Sequence, residues 1–141
     1  RIAVQHMTPV ILLSDGYIAN GAEPWRFPTS ADLKPIDISF KKGLAEGEEK
    51  FMPYKRDEKL VRPWAVPGTP GLEHRIGGLE KQDVTGNVNY EPENHQHMVN
   101  TRQAKVDKIA DYIPLQTLDS GPEKGKILVL GWGSTYGAIK S

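Results

Sequence analysis

Two apolar runs stand out from an otherwise weakly patterned chain. The first, Pro9-Val10-Ile11-Leu12-Leu13, closes in Ser14-Asp15-Gly16; the second, Lys126-Ile127-Leu128-Val129-Leu130, closes in Gly131-Trp132-Gly133-Ser134-Thr135-Tyr136-Gly137. A run that is apolar at every position and ends in turn residues has the pattern of a parallel strand buried on both faces. Both are therefore predicted as central strands. The second is followed by glycines and the helix start Tyr136-Gly137-Ala138-Ile139, so it reads as the opening of an α/β domain. Residues 17 to 28 allow one helical turn before Pro24, since proline disfavours helix at the residue before it.

Between Thr29 and Tyr90 periodicity is scarce. Ile36-Asp37-Ile38-Ser39-Phe40 alternates like a short half-exposed strand, and the charged stretch from Lys41 to Arg62 is predicted as surface loop. Arg62 to Gly71 holds three prolines and two glycines in ten residues. Proline fixes φ and lacks a donor, so this stretch is expected to be extended and turning rather than a central strand or helix. So long an irregular stretch is unusual in a self-contained domain and is expected to be a connection over a larger body. The best helix signal starts at Pro92, a residue favoured at the first helical position, and runs to Ile113, where Pro114 stops it. Steps of three and four put His95, Val99, Arg102, Val106, Ile109 and Ile113 on one predicted face. At about 1.5 Å per residue the helix would be roughly 33 Å long.

Composition narrows the classes. Leu, Ile, Val and Phe supply 33 of 141 residues, enough for a thin core. Lys plus Arg and Asp plus Glu number 18 each, and the two halves of the chain are balanced, so no basic field exists to hold nucleic acid or an anionic membrane. Zero cysteine excludes disulfides and any cysteine-ligated iron–sulfur cluster on these residues. The longest apolar stretch is too short to cross a bilayer and no signal-type segment opens the sequence, which leaves a cytoplasmic location as the default expectation. The first residue is Arg, and the terminal helix start is shorter than an isolated helix tolerates. An interior piece of a longer α/β protein is expected.

Candidate chemistry was weighed against plainer readings. Gly131, Gly133 and Gly137 follow a strand and precede a helix, where backbone amides can cradle phosphate. Their spacing is G-x-G-x-x-x-G rather than the dinucleotide fingerprint, and the plainer reading is a tight turn with Ser134 capping the helix. Glu91, Glu93, His95 and His97 resemble a metal cluster in print, yet two steps along a helix turn the side chain by about 200°, so His95 and His97 are not expected to share an ion. Asp15 stands at the carboxyl end of a strand, where open α/β sheets bind ligands; the plainer role is to hold backbone amides in its own turn. Trp25, Trp64 and Trp132, each flanked by proline, arginine or glycine, suit capping of loops or filling of interface pockets.

A set of strings goes further than these arguments. Met7-Thr8-Pro9-Val10-Ile11-Leu12-Leu13-Ser14-Asp15-Gly16-Tyr17-Ile18-Ala19-Asn20, Glu23-Pro24-Trp25, Pro67 to Glu80, Thr85-Gly86-Asn87 and Gly131 to Gly137 occur in that order. In this order the sequence resembles the alpha subunit of 2-oxoglutarate (2-oxoacid):ferredoxin oxidoreductases. The resemblance implies a thiamin diphosphate enzyme complex that oxidatively decarboxylates a 2-oxoacid, passes the acyl group to coenzyme A and sends electrons to ferredoxin. Thiamin diphosphate, Mg²⁺ and the iron–sulfur cluster would lie mainly on the partner beta subunit. It further implies an α/β fold in which residues 1–28 end a pyrimidine-side domain, residues 29–121 form a connection with one long helix at about 92–113, and residues 122–141 start a transketolase-like C-terminal domain. The family's threonine motif has no counterpart here, so no catalytic, cofactor-binding or metal-binding residue is assigned. The alternative expectation is a non-catalytic nucleotide-binding or partner-binding α/β module, beginning its site at Gly131 to Gly137.

Overall fold

A computed structural model describes all residues, 1–141. In chain order the elements are helix α1 (Ile2–Gln5), helix α2 (Gly16–Asn20), strands β1 (Phe40–Lys41) and β2 (Trp64–Ala65), helix α3 (Pro92–Lys108) with a 3-10 turn at Ile109–Tyr112, a second 3-10 turn at Gly133–Thr135, and helix α4 (Tyr136–Lys140). The residues divide into two compact units, Arg1–Pro9 with Ile36–Pro114, and Val10–Pro35 with Leu115–Ser141.

The first unit holds the core. Phe51, Val61, Leu72, Met98 and Ile109 are buried, Met98 to 1% exposure. The sheet is minimal: β1 and β2 run parallel, with Phe40 opposite Trp64 and Lys41 opposite Ala65. Isolated bridges join Tyr54 to Val84 and Lys81 to Val88. Most of the backbone is satisfied instead by turns, such as Thr69 N–H to Val66 O at 3.1 Å and Gly86 N–H to Gln82 O at 3.0 Å. Trp64 pins α1 to this frame by donating its indole N–H to Val4 O at 3.0 Å.

Helix α3 is the longest element, and it begins with Pro92 in the first turn as expected. Glu93 in the first turn and Lys105 and Lys108 in the last complement the helix dipole. The predicted face is rotated by about one residue. Val99 and Val106 are exposed, whereas Asn94, Met98, Thr101, Lys105 and Ile109 form the covered stripe. Polar side chains explain the shift: Asn94 binds backbone on both its amide atoms and Lys105 reaches Met7 O at 2.9 Å, so two positions that look solvent-facing carry the packing. From Ile109 the helix tightens to 3-10 geometry, ending at Tyr112 before Pro114. The strand expected at Ile36–Phe40 is present only at its end, Phe40–Lys41.

The second unit is open. Neither apolar run forms a ladder there: Val10, Ile11, Leu12 and Leu13 are 54–90% exposed, and Ile127, Leu128, Val129 and Leu130 are 66–85% exposed. The expectation of two strands buried on both faces is therefore not met. A strand exists only through a hydrogen-bonded neighbour, and neither run pairs with the other or with any other segment of this chain. The helix predicted after Gly131–Gly137 does form, as α4.

Candidate functional site

The turns that follow the apolar runs meet at one side chain in the second unit. Asp15 is the N-cap of α2, accepting the Ile18 N–H on Oδ1 at 3.0 Å. Its other oxygen, Oδ2, accepts the Ser134 N–H at 2.6 Å. Asp15 is also the one residue of this unit that is not fully exposed. The amide of Ile18, reinforced by that of Ser134, holds the carboxyl below its ordinary value, because hydrogen bonds to the charged form favour it. With each oxygen engaged by an amide, Asp15 is an organiser of turns rather than a free base. The plainer of its two readings is the one the geometry carries.

The glycine turn is shaped by this contact. Gly133 has φ +65°, and a Cβ there would lie 2.4 Å from Asp15 Oδ2, so glycine is required both for conformation and for the approach of the carboxylate. Ser134 does not cap α4 with its hydroxyl as expected. The N-cap is Thr135, whose Oγ1 turns back to Trp132 O at 2.7 Å, while the Ser134 amide is drawn to Asp15. Beside the pair a shallow cleft of about 380 Å³ is bordered by Tyr17, Ile18, Glu23, Ser134 and Tyr136. Trp25 stacks on Phe27 at 6.1 Å in the open, and Trp132 is exposed; of the three tryptophans, Trp64 alone is tied into packing.

In the first unit a polar clamp fastens the loop from Gly77 to Asn89 onto α3. His95 and Glu80 are 2.5 Å apart, and Arg102 reaches the other oxygen of Glu80 at 3.3 Å. His97 Nε2 lies 3.0 Å from Asp83 Oδ2, and Arg56 donates to Asp83 Oδ1 at 2.8 Å. Asn94 completes the clamp, accepting the Asp83 N–H at 3.0 Å and donating to Lys81 O at 2.9 Å. His95 and His97 thus go to separate carboxylates, and Glu91 and Glu93 take part with neither. The hydrogen bond from His95, opposed by partial burial, draws the Glu80 carboxyl below its usual range. Within the loop, Leu79 and Val84 adopt φ +53° and +64°, a region that costs a β-branched residue such as Val84 of order 1–3 kcal/mol. Glu80 and Asp83 were not singled out from the sequence; their signal was only that they fall in or just beyond the most specific family string.

No family model matches the chain. In sequence it is 54% identical over 140 residues, 99% of its length, to the 2-oxoglutarate oxidoreductase subunit KorA of Mycobacterium tuberculosis. It is 30% identical over 138 residues to the alpha subunit of 2-oxoacid:ferredoxin oxidoreductase 1 of Aeropyrum pernix. In structure it is similar, with TM-score 0.65 and 27% identity over 80% of its length, to the 2-oxoglutarate:ferredoxin oxidoreductase of Magnetococcus marinus solved with 2-oxoglutarate, coenzyme A and succinyl-CoA bound. The chain spans about one fifth of the length of each curated relative and 19% of the solved chain. The resemblance drawn from its motifs is borne out.

Proposed function

We propose that the chain is a segment of the alpha subunit of a 2-oxoacid:ferredoxin oxidoreductase acting on 2-oxoglutarate, in a complex that transfers the acyl group to coenzyme A and electrons to ferredoxin. The observation that carries this reading is the 54% identity to the 2-oxoglutarate oxidoreductase subunit over 99% of the chain. The neighbour's bound 2-oxoglutarate, coenzyme A and succinyl-CoA favour the same substrate and acceptor.

Under this reading residues 1–28 close a pyrimidine-side domain, residues 29–121 connect, and residues 122–141 open the transketolase-like domain. The exposure of Val10–Leu13 and Ile127–Leu130 supports it, since in this arrangement each run would gain ladder partners from its own sheet elsewhere in the subunit. These residues do not themselves fit the complex's cofactors. They include no cysteine for an iron–sulfur cluster, and no three His, Asp or Glu side chains converge as metal ligands. Thiamin diphosphate, Mg²⁺ and the cluster are accordingly assigned to other parts of the complex, chiefly the beta subunit, and no catalytic step is routed through a residue of this chain. No helix is long and apolar enough to cross a membrane; a cytoplasmic complex is proposed.

The test is to purify the native protein that carries this sequence, with its bound partners, and assay coenzyme A-dependent reduction of ferredoxin by 2-oxoglutarate, pyruvate and branched 2-oxoacids. Preference for 2-oxoglutarate is expected. Absence of 2-oxoacid-dependent reduction from a preparation containing both subunits would overturn the proposal.

A further inference from the structure

The first unit contains a cluster of cations that the clamp and the family reading leave unexplained. Lys59, Arg62 and Lys105 form no ion pair with any carboxylate. Lys59 Nζ lies over the Tyr112 ring at 4.7 Å, Arg62 lies over the Tyr54 ring at 4.5 Å, and Lys105 donates to Met7 O at 2.9 Å. Arg56 occupies the Tyr54 ring as well, at 5.3 Å, though Asp83 neutralises it. Lys105 is held below its ordinary value, first by burial and then by Arg56 and Arg62. On a chain of zero net charge, partly buried like charges have been gathered without a counter-charge.

His6 lies in the same neighbourhood. It is 3% exposed and packs edge-on against Tyr112 at 5.1 Å, and its Nδ1 has no hydrogen-bond partner. An unpaired buried polar atom costs about 1–3 kcal/mol, so a missing partner is a chemical signal independent of the cations. The nearest carboxylate is not that partner: Asp57 Oδ1 is engaged by the Lys59 N–H at 2.9 Å and the Val61 N–H at 2.8 Å. Next to the cluster a half-open cavity of about 600 Å³ is lined by Val4, Gln5, Asp57, Lys59, Arg62 and Trp64, among others. That volume is within the range of small-molecule sites.

We propose that Lys59, Arg62 and Lys105, with Nδ1 of His6, bind a multiply charged oxyanion carried by a small molecule whose body occupies this cavity. Arginine would supply paired donors and the lysines point charges, the division seen wherever phosphate or carboxylate is held. His6 would donate from Nδ1 once the anion offset the two lysines that oppose its protonation. Asp37 and Asp57 on the cavity wall exclude an anion that fills the whole space and restrict it to the Arg62 end. This inference does not rest on the proposed enzymatic function.

The probes are pyrophosphate for a phosphate-bearing ligand and succinate for a carboxylate-bearing one, titrated into the full 141-residue chain at fixed ionic strength, reading the His6 imidazole resonances by NMR and the heat by calorimetry. Saturable binding of either probe that shifts His6 and raises its pKa is expected, and the stronger probe identifies the ligand class. Affinity should fall at least tenfold in an Arg62→Gln, Lys105→Gln variant, while Arg62→Lys retains part of it and Lys140→Gln is neutral. Failure of both probes to saturate overturns the proposal. So does binding that leaves His6 unmoved, or that survives in a double variant with native near-ultraviolet dichroism.

Discussion

Asp15 and Ser134, 119 residues apart in sequence, are joined by a 2.6 Å hydrogen bond from the Ser134 backbone to the Asp15 carboxylate. The same carboxylate caps α2 through Ile18, so a single side chain orders both turns of the second unit. Asp15→Ala should therefore release the amides of Ile18 and Ser134 together. Hydrogen exchange read residue by residue checks this: both amides should lose protection, while Tyr54 and Asp83, held in the first unit, keep theirs. Loss at Ile18 alone would show that the long-range bond is not formed in solution.

Stability of the first unit should fall on mild acidification. Burial, followed by Lys59 and Lys105, places the pKa of His6 below its ordinary value of 6.5. Between that lowered value and 6.5 the unfolded chain binds more protons than the folded one, so stability rises with pH across this window and is fully present above it. His6→Phe should flatten the dependence of the denaturation midpoint on pH between about 5 and 7. A parent protein whose midpoint rises on acidification over that window would contradict the assignment.

Gly86 tests backbone conformation against space. It has φ +72°, and a Cβ would meet the Tyr54 ring at 2.8 Å, whereas Gly47, at φ +80°, has nothing within 4 Å. Gly47→Ala should cost about 1 kcal/mol from conformation alone, and Gly86→Ala should cost more because Tyr54 must also move, disturbing its two guanidinium contacts. Equal shifts in chemical denaturation would mean that the ring yields freely.

Met98 and Asn94 separate packing from hydrogen bonding on α3. Met98→Ala empties the most buried position and should cost about 2–5 kcal/mol. Asn94→Ala leaves Lys81 O and the Asp83 N–H without partners, at about 1–3 kcal/mol. Val99→Ala, on the exposed face, should be nearly silent. If Val99 proved the costlier of the two aliphatic truncations, Val99 and Met98, the observed rotation of the helix would be wrong.

That rotation marks where sequence reasoning stopped. The helix itself was legible, because Pro92 and Pro114 bracket it and local propensity suffices to place it. Its face was not, since the choice between Val99 and Met98 is made by Asn94 and Lys105 reaching backbone 13 and 98 residues away. The turns after the apolar runs were legible from Asp15-Gly16 and the spaced glycines, and so was the plainer role of Asp15. The cation cluster was invisible for the opposite reason: His6, Tyr54, Lys59, Arg62 and Lys105 come from separate segments, and nothing in their spacing shows that one histidine will lose its water.

The two uncovered apolar runs have a colloidal consequence. Val10 to Leu13 and Ile127 to Leu130 are charge-free, rich in branched side chains and open along their backbone edges, which is the description of an aggregation nucleus. Asp15 and Lys126, each at one end of a run, are the gatekeepers nearest to them. A preparation of this chain by itself should thus be self-associating at high concentration, and its shelf life should lengthen when a charge is written into either run.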